Sequence, residues 1–284
     1  MVGKVCLVTG ANSGIGKETA RRLADLGGTV VMVCRNKGKG EKALADIAKT
    51  RGGPVELMLA DLASFESVRS LAKGFLEKHN SLHVLVNNAG GVILSRSLTV
   101  DGIETTFQVD YLSHFLLTNL LLEILKKSAP SRIVNVSSAA HYSGHLDLDD
   151  LPMKNGYGTM RAYSRAKLAQ VLFTYELARR LQGTGVTANC LHPGVVATNI
   201  WKRSMGPLSF VGNVSRLFLI SPEEGAETSV YLASSQAVEG VTGKYFDNKQ
   251  EKESSAESHD QVLAQRLWAE SEKLSGLASV RGSS

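Results

Sequence analysis

Two rhythms alternate along the chain. Short stretches built around apolar residues fall at residues 4–9, 29–34, 55–60, 83–86, 131–138, 185–191 and 243–246, and strands buried on both faces of a parallel sheet read this way. Between them lie longer stretches whose apolar residues recur every three or four positions, at 17–26, 39–50, 64–78, 107–127, 161–181 and 222–233. That is the period of an amphipathic helix. The alternation predicts an α/β fold in one domain, a doubly wound parallel sheet of about seven strands with helices on both faces. Phe107, Tyr111, Phe115 and Leu122 give the 107–127 helix more apolar surface than one sheet face needs. Core packing is the expected use, with a homodimer face as the alternative.

Residues 199–221 follow neither period, although they carry Ile200, Trp201, Met205, Leu208, Phe210, Leu217 and Phe218. This stretch reads as an apolar lid over a substrate, with peripheral membrane contact a weaker alternative. The domain is expected to span 1–248, lid included. A polar tail, 249–284, follows, loosely held over 249–260 and ending in a short helix around Trp268.

The first βαβ unit carries the first chemistry. Its turn reads Thr9-Gly10-Ala11-Asn12-Ser13-Gly14-Ile15-Gly16. Gly10 suits a tight turn, Gly14 lets backbone approach a pyrophosphate, and Gly16 permits close packing, while the helix start offers free N–H groups to an anion. The spacing is Gly-x-x-x-Gly-x-Gly, not the usual dinucleotide fingerprint. At the end of the second strand stand Cys34-Arg35-Asn36-Lys37. An acid there would take a ribose 2′-hydroxyl, whereas Arg accommodates a 2′-phosphate. Arg35, helped by Lys37, therefore points to NADP(H) over NAD(H). Asp61, at the end of the third strand, is placed either to accept from an adenine amine or to cap its own loop.

Composition narrows the field. Hydrophobic residues make up 43% and charged residues 21% of the 284, with a net charge of +5, as in an ordinary soluble globular protein. Basic residues are interleaved with acids, which argues against nucleic-acid binding. Cys6, Cys34 and Cys190 sit in apolar runs and read as free buried thiols of a reducing compartment. No metal-ligand cluster, signal peptide or transmembrane run stands out. The expected setting is the cytoplasm.

The strongest chemical signal is Tyr163-Ser164-Arg165-Ala166-Lys167 on the 161–181 helix. Positions i and i+4 share a helix face, and an ammonium beside a phenol favours the phenolate. Tyr163 thus suits proton transfer to or from an alcohol or carbonyl oxygen. Ser138 emerges at the C-terminal end of the fifth strand, the edge where open α/β sheets bind ligands. There it can hydrogen-bond a substrate oxygen or cap the next turn. The residues 141–158 between these signals form an excursion bordering the site.

Taken together, Thr9-Gly10-x-x-x-Gly14-x-Gly16, Asn87-Asn88-Ala89-Gly90, Ser138, Tyr163-x-x-x-Lys167 and Pro193-Gly194-x-x-x-Thr198 resemble the short-chain dehydrogenase/reductase family over residues 3–247. Stretches such as Ser113-His114-Phe115-Leu116-Leu117-Thr118 are similar to its retinol dehydrogenase branch. The resemblance implies a Rossmann-like fold, NADP(H) and a lipophilic carbonyl or alcohol substrate. Tyr163 would be the acid/base, Lys167 would support it and hold the nicotinamide ribose, and Ser138 would orient the carbonyl. It further implies cofactor contacts at Gly10, Asn12, Ser13, Gly14, Ile15, Gly16, Arg35, Asp61, Leu62, Asn88, Ala89, Gly90, Tyr163, Lys167, Pro193, Gly194, Val196 and Thr198. Many members of that branch carry an N-terminal membrane anchor, a pattern not seen here. One position departs from the family: Asp110 stands where an active-site Asn is usual, and it is placed to pair with Lys167. That departure supports a rival expectation, a non-catalytic NADP(H)-binding sensor or scaffold. A third, NAD-linked chemistry on sugars or steroids, is disfavoured by Arg35 and the apolar lid.

Overall fold

The computed structural model describes residues 1–49, 52–194 and 220–277. Its sheet runs in the order β3-β2-β1-β4-β5-β6-β7-β8. The strands are β1 (Val5–Thr9), β2 (Thr29–Cys34), β3 (Val55–Leu59), β4 (Val84–Asn87), β5 (Ser131–Val136), β6 (Val186–His192), β7 (Tyr245–Asp247) and β8 (Gln250–Lys252). The first seven are parallel, and β8 turns back antiparallel on β7. The chain winds from β1 out to β3, then crosses to β4 on the other side of β1. Such a reversal leaves a crevice at the carboxyl ends of the two central strands.

Side chains of successive strand residues point to opposite faces, and the core divides accordingly. Leu7, Val31, Val33, Leu85 and Ile133 join one apolar cluster. Cys6, Val8, Val30, Met32, Val84, Val86 and Val134 join the other. The first cluster is covered by α3 (Phe65–Lys78), α5 (Ser113–Leu120), α7 (Thr159–Arg180) and α9 (Gln261–Leu274). The second is covered by α1 (Gly14–Asp25), α2 (Lys37–Ile47) and α8 (Pro222–Ser234). Ser64 caps α3 by accepting from the Ser67 N–H, as its position before the helix predicts. The three cysteines are free and buried.

The structure departs from the sequence expectation in two places. The 107–127 stretch is not one helix. It begins as α4 (Thr105–Phe107), widens into a π-helical turn at Gln108–Leu112, continues as α5 and breaks at Leu121 before α6 (Leu122–Lys127). Residues 249–260 are not loose either. They form β8 and a 3-10 turn at Ala256–His259, held because Ser255 N–H donates to His141 Nε2 (3.1 Å) and Tyr142 OH to the Glu253 carbonyl (2.5 Å). The core packing expected of Phe107, Tyr111 and Phe115 is found: all three are fully enclosed within the chain. Tyr111 and Phe115 meet Phe173 of α7, and Phe115 also meets Trp268 of α9 at 5.0 Å. The surplus apolar surface is therefore used for intrachain packing and offers no dimer face at these side chains. The apolar stretch at 199–219 lies outside the described residues.

Candidate active site

The crevice at the switch point is a cleft of ≈ 610 Å³. It is lined by Gly10, Asn12, Ser13, Gly14, Ile15 and Gly16 of the first turn, by Arg35, Asp61 and Leu62, and by Asn88, Ala89 and Gly90. Twelve of the residues singled out from the sequence thus converge from four strand ends. Ser138, Tyr163, Lys167, Pro193 and Gly194 are not on its lining. Val196 and Thr198 lie outside the described residues, and Lys37 pairs with Glu41 on α2 (3.8 Å).

The first turn is shaped for close approach. Gly10 and Gly14 take φ of 70° and 56°, the left-handed region that glycine enters without steric cost. A Cβ on Gly16 would lie 2.3 Å from Asn88 Nδ2 and 2.5 Å from the Gly10 carbonyl oxygen. Ser13 is the N-cap of α1 yet makes no side-chain capping bond, and the first turn holds no acid. The leading N–H groups of this twelve-residue helix face the cleft without a competing carboxylate, which fits a phosphate. Lys17 is not available to that role, being paired with Asp46 of α2.

Thr9, which sequence reasoning passed over as a site residue, locks this turn to β4. Its hydroxyl accepts from the Asn88 and Ala89 N–H groups (both 2.9 Å), and Asn88 Nδ2 donates to the Thr9 carbonyl (2.8 Å). The hydroxyl's own hydrogen faces His114 Nε2 (3.2 Å) and the Val86 carbonyl (3.4 Å). Complete burial pushes His114 down to about 3, so it stays neutral and can accept.

At the mouth, the Arg35 guanidinium is 74% exposed and lies 3.6 Å from Asp61 Oδ2. The other oxygen, Asp61 Oδ1, accepts from the Ala63 N–H (3.0 Å). The loop-cap role of Asp61 is therefore realised, and its second oxygen tethers Arg35 weakly.

On the opposite side, α7 carries the Tyr163 motif. The Lys167 ammonium lies 5.5 Å from the centre of the Tyr163 ring, so the two share a face as their spacing predicts. Ser137 is buried and donates to the Lys167 carbonyl (2.9 Å), which seats the end of β5 on the turn of α7 bearing Tyr163. Ser138 is only half-buried; its oxygen accepts from the Ala140 N–H (3.2 Å), leaving the hydroxyl hydrogen free to donate to a carbonyl oxygen. His141 donates from Nδ1 to the Ser138 carbonyl (2.7 Å), and His192 Nδ1 accepts from Ala139 N–H (3.1 Å). Both histidines are lowered by burial, which suits neutral rings that position the Ser138 turn.

Two buried ion pairs clamp the start of the broken helix to α7. Glu104 caps α4 through the Thr106 and Phe107 N–H groups (both 2.9 Å) and faces Arg165 (3.5 Å). Burial lowers Arg165 to about 10, still charged at neutral pH. The second pair is Asp110 with Lys167 (3.4 Å). Asp110 sits in the π-helical turn, is fully buried and lines the cleft. Both its oxygens accept from the Gly91 N–H (3.0 and 3.2 Å). The pairing expected from the sequence is thus present.

Behind these groups a buried hydrogen-bonded ladder crosses the sheet. Asn87 Nδ2 donates to Thr118 (2.9 Å) and Asn135 (2.8 Å), and Asn135 donates to Thr174 (2.9 Å). It ties α5, β4, β5 and α7 together, and pairing its members is what makes their burial tolerable.

A family profile described as short chain dehydrogenase matches residues 4–206. The chain is 48% identical over 289 residues to Retinol dehydrogenase 13 of Mus musculus, covering 99% of this chain and 86% of that protein. It is 45% identical to human Retinol dehydrogenase 14, with coverages of 98% and 88%. Among solved structures, an uncharacterized protein from Mycobacterium paratuberculosis superposes with a TM-score of 0.79 at 35% identity, covering 97% of this chain and 94% of that one. The Pseudomonas aeruginosa RhlG/NADP active-site complex gives 0.72 at 27% identity, with coverages of 87% and 94%.

Proposed function

The chain belongs to the short-chain dehydrogenase/reductase family, and from that premise we propose that it interconverts a carbonyl and an alcohol on a lipophilic, retinoid-like substrate with NADP(H). The observation that carries the reading is the convergence of two halves at one sheet edge. A phosphate-shaped glycine turn stands on one side, and on the other Lys167 lies 5.5 Å from the Tyr163 ring beside the half-buried Ser138.

When bound, the nicotinamide supplies the hydride chemistry. The α1 N-terminus would hold the pyrophosphate, and Arg35 would leave the weak Asp61 contact for a 2′-phosphate. Ser138 would donate to the substrate oxygen while Tyr163 gives that oxygen a proton, or takes one in the oxidative direction. The names of the retinol dehydrogenases and of the NADP complex support the substrate class and the cofactor. Among the described residues no helix is long and apolar enough to cross a membrane.

The test is NADPH and NADH oxidation with aldehydes graded from short to retinal-sized, in wild type, Tyr163→Phe and Arg35→Asp. Turnover with NADPH that rises with substrate apolarity is expected, falling at least ~100-fold without the phenol. Arg35→Asp is expected to reverse the cofactor preference. A second reading, a non-catalytic nucleotide-binding module, draws on the Asp110–Lys167 pair. Equal, near-zero turnover in wild type and Tyr163→Phe, with NADPH still bound, would select it.

A further inference from the structure

An ammonium has three N–H bonds, and three acceptors of this chain surround Lys167. They are the Val136 carbonyl (3.0 Å), Gln170 Oε1 (3.0 Å) and Asp110 Oδ2 (3.4 Å). Of these three residues only Asp110 lines the cleft, and Lys167 itself does not. The carboxylate therefore stands between the ammonium and the nucleotide space. It is held there from behind and from the side: both oxygens accept from the Gly91 N–H, and a Cβ on Gly90 would meet the carboxyl at 3.0 Å. Three charged or titratable side chains from neighbouring elements face this carboxyl or its backbone. Lys167 of α7 attracts it, Glu104 ahead of α4 repels it while itself paired to Arg165, and the neutral His114 of α5 contacts the Asp110 carbonyl through Nδ1 (3.3 Å).

Resting on the oxidoreductase reading, we propose that Asp110 is a positioning residue whose carboxylate keeps Lys167 on the protein's own acceptors and so opposes its engagement by a nucleotide in the cleft. Any ligand hydroxyl that takes an N–H of Lys167 from the cleft side displaces the Asp110 contact, the longest of the three. Coupling of this kind is reciprocal. A nucleotide that draws Lys167 forward leaves a buried carboxylate short of its countercharge, and so favours the protonated form of Asp110. Conversely, removing the charge at position 110 frees Lys167 for the ligand. An amide at this position could still accept from Gly91 without holding the ammonium by charge. The carboxylate at position 110 thereby adds a pH-dependent brake to the site.

The experiment measures the NADPH dissociation constant by fluorescence from pH 5 to 8 in wild type and Asp110→Asn, with no substrate present. Asp110→Asn is expected to bind about tenfold tighter at pH 8, a usual size for coupling between two sites, and the curves should converge toward pH 5. The same pair in a Lys167→Met background should show no difference. A constant ratio across pH, no gain at pH 8, or a gain that survives loss of Lys167 would each overturn the proposal. Asp110→Ser serves if the Asn variant does not fold. If neither folds, a carboxyl-carbon NMR titration of wild-type Asp110 decides: its midpoint should rise on adding NADPH, and an unmoved midpoint overturns the proposal. No binding of either nucleotide by any of these proteins would instead sink the oxidoreductase reading, and the proposal with it.

Discussion

Lys167 and Asp110 meet in a region where water cannot soften either charge, and this has a consequence without any ligand. In the fold Asp110 keeps its proton up to about 6, against an ordinary value of 3.8, because burial outweighs the pull of Lys167 and of the Gly91 N–H. The native state therefore binds more protons than the unfolded chain between these two values. The contribution of this group favours the fold fully below the lower value and is lost as pH rises through about 6. Asp110→Asn should thus gain stability relative to wild type as pH rises across that window, by on the order of 2–3 kcal/mol. Thermal melts of the ligand-free proteins at pH 4.5 and 7.5 check this, and a difference in Tm that does not grow with pH would refute it. At this scale the sequence spoke clearly about Tyr163 and Lys167, because their spacing alone sets a shared face. It placed Thr9 in the turn motif and His141 at the border of the site, but gave neither its hydrogen-bond partners. The partners of His141 are joined only by the fold, Ser255 being 114 positions away.

Among elements, the glycine turn and the broken helix carry the site in opposite ways. The turn is local: Gly10, Gly14 and Gly16 announce it through spacing, and the structure places all three on the cleft. At Gly16 even a methyl group would press on Asn88 and on the Gly10 carbonyl. Gly16→Ala is expected to lose ~1–3 kcal/mol of stability from overpacking, along with most nucleotide affinity. Urea unfolding and NADPH titration measure the two losses, and unchanged values of both would mean the turn yields easily. The broken helix was not legible. Its apolar period runs smoothly from 107 to 127, and nothing in that period marks the π-helical turn at Gln108–Leu112 or the stop at Leu121. The two ion pairs to α7 are tertiary contacts, and they override a regular pattern.

For the molecule as a whole, the alternation of strands and helices was enough to foresee the parallel sheet, since each element's burial is written in its own residues. The C-terminal region was not foreseen, because its polar composition hides how few apolar residues it needs. Trp268 is 4% exposed, packs on Phe115 and Phe173, and lies under the Arg180 guanidinium at 4.1 Å. It fastens α9 to the far end of the helix that carries Tyr163. Trp268→Ala is expected to cost ~3–5 kcal/mol. Calorimetry would register this as a lower Tm, and a shift of under a degree or two would show that α9 is dispensable to the core.

The last strand raises a matter of colony behaviour, of many copies of the chain in one solution. An open sheet ends in unpaired N–H and C=O groups that invite a strand from another molecule. On this side the outermost strand is only three residues long, lies against the direction of its neighbours, and shows Gln250, Glu251 and Lys252 to water. A newcomer would have to bury an acid and a base side by side along a very short ladder. The hairpin thus acts as a polar hem, discouraging one molecule's sheet from growing onto the next as the protein is concentrated.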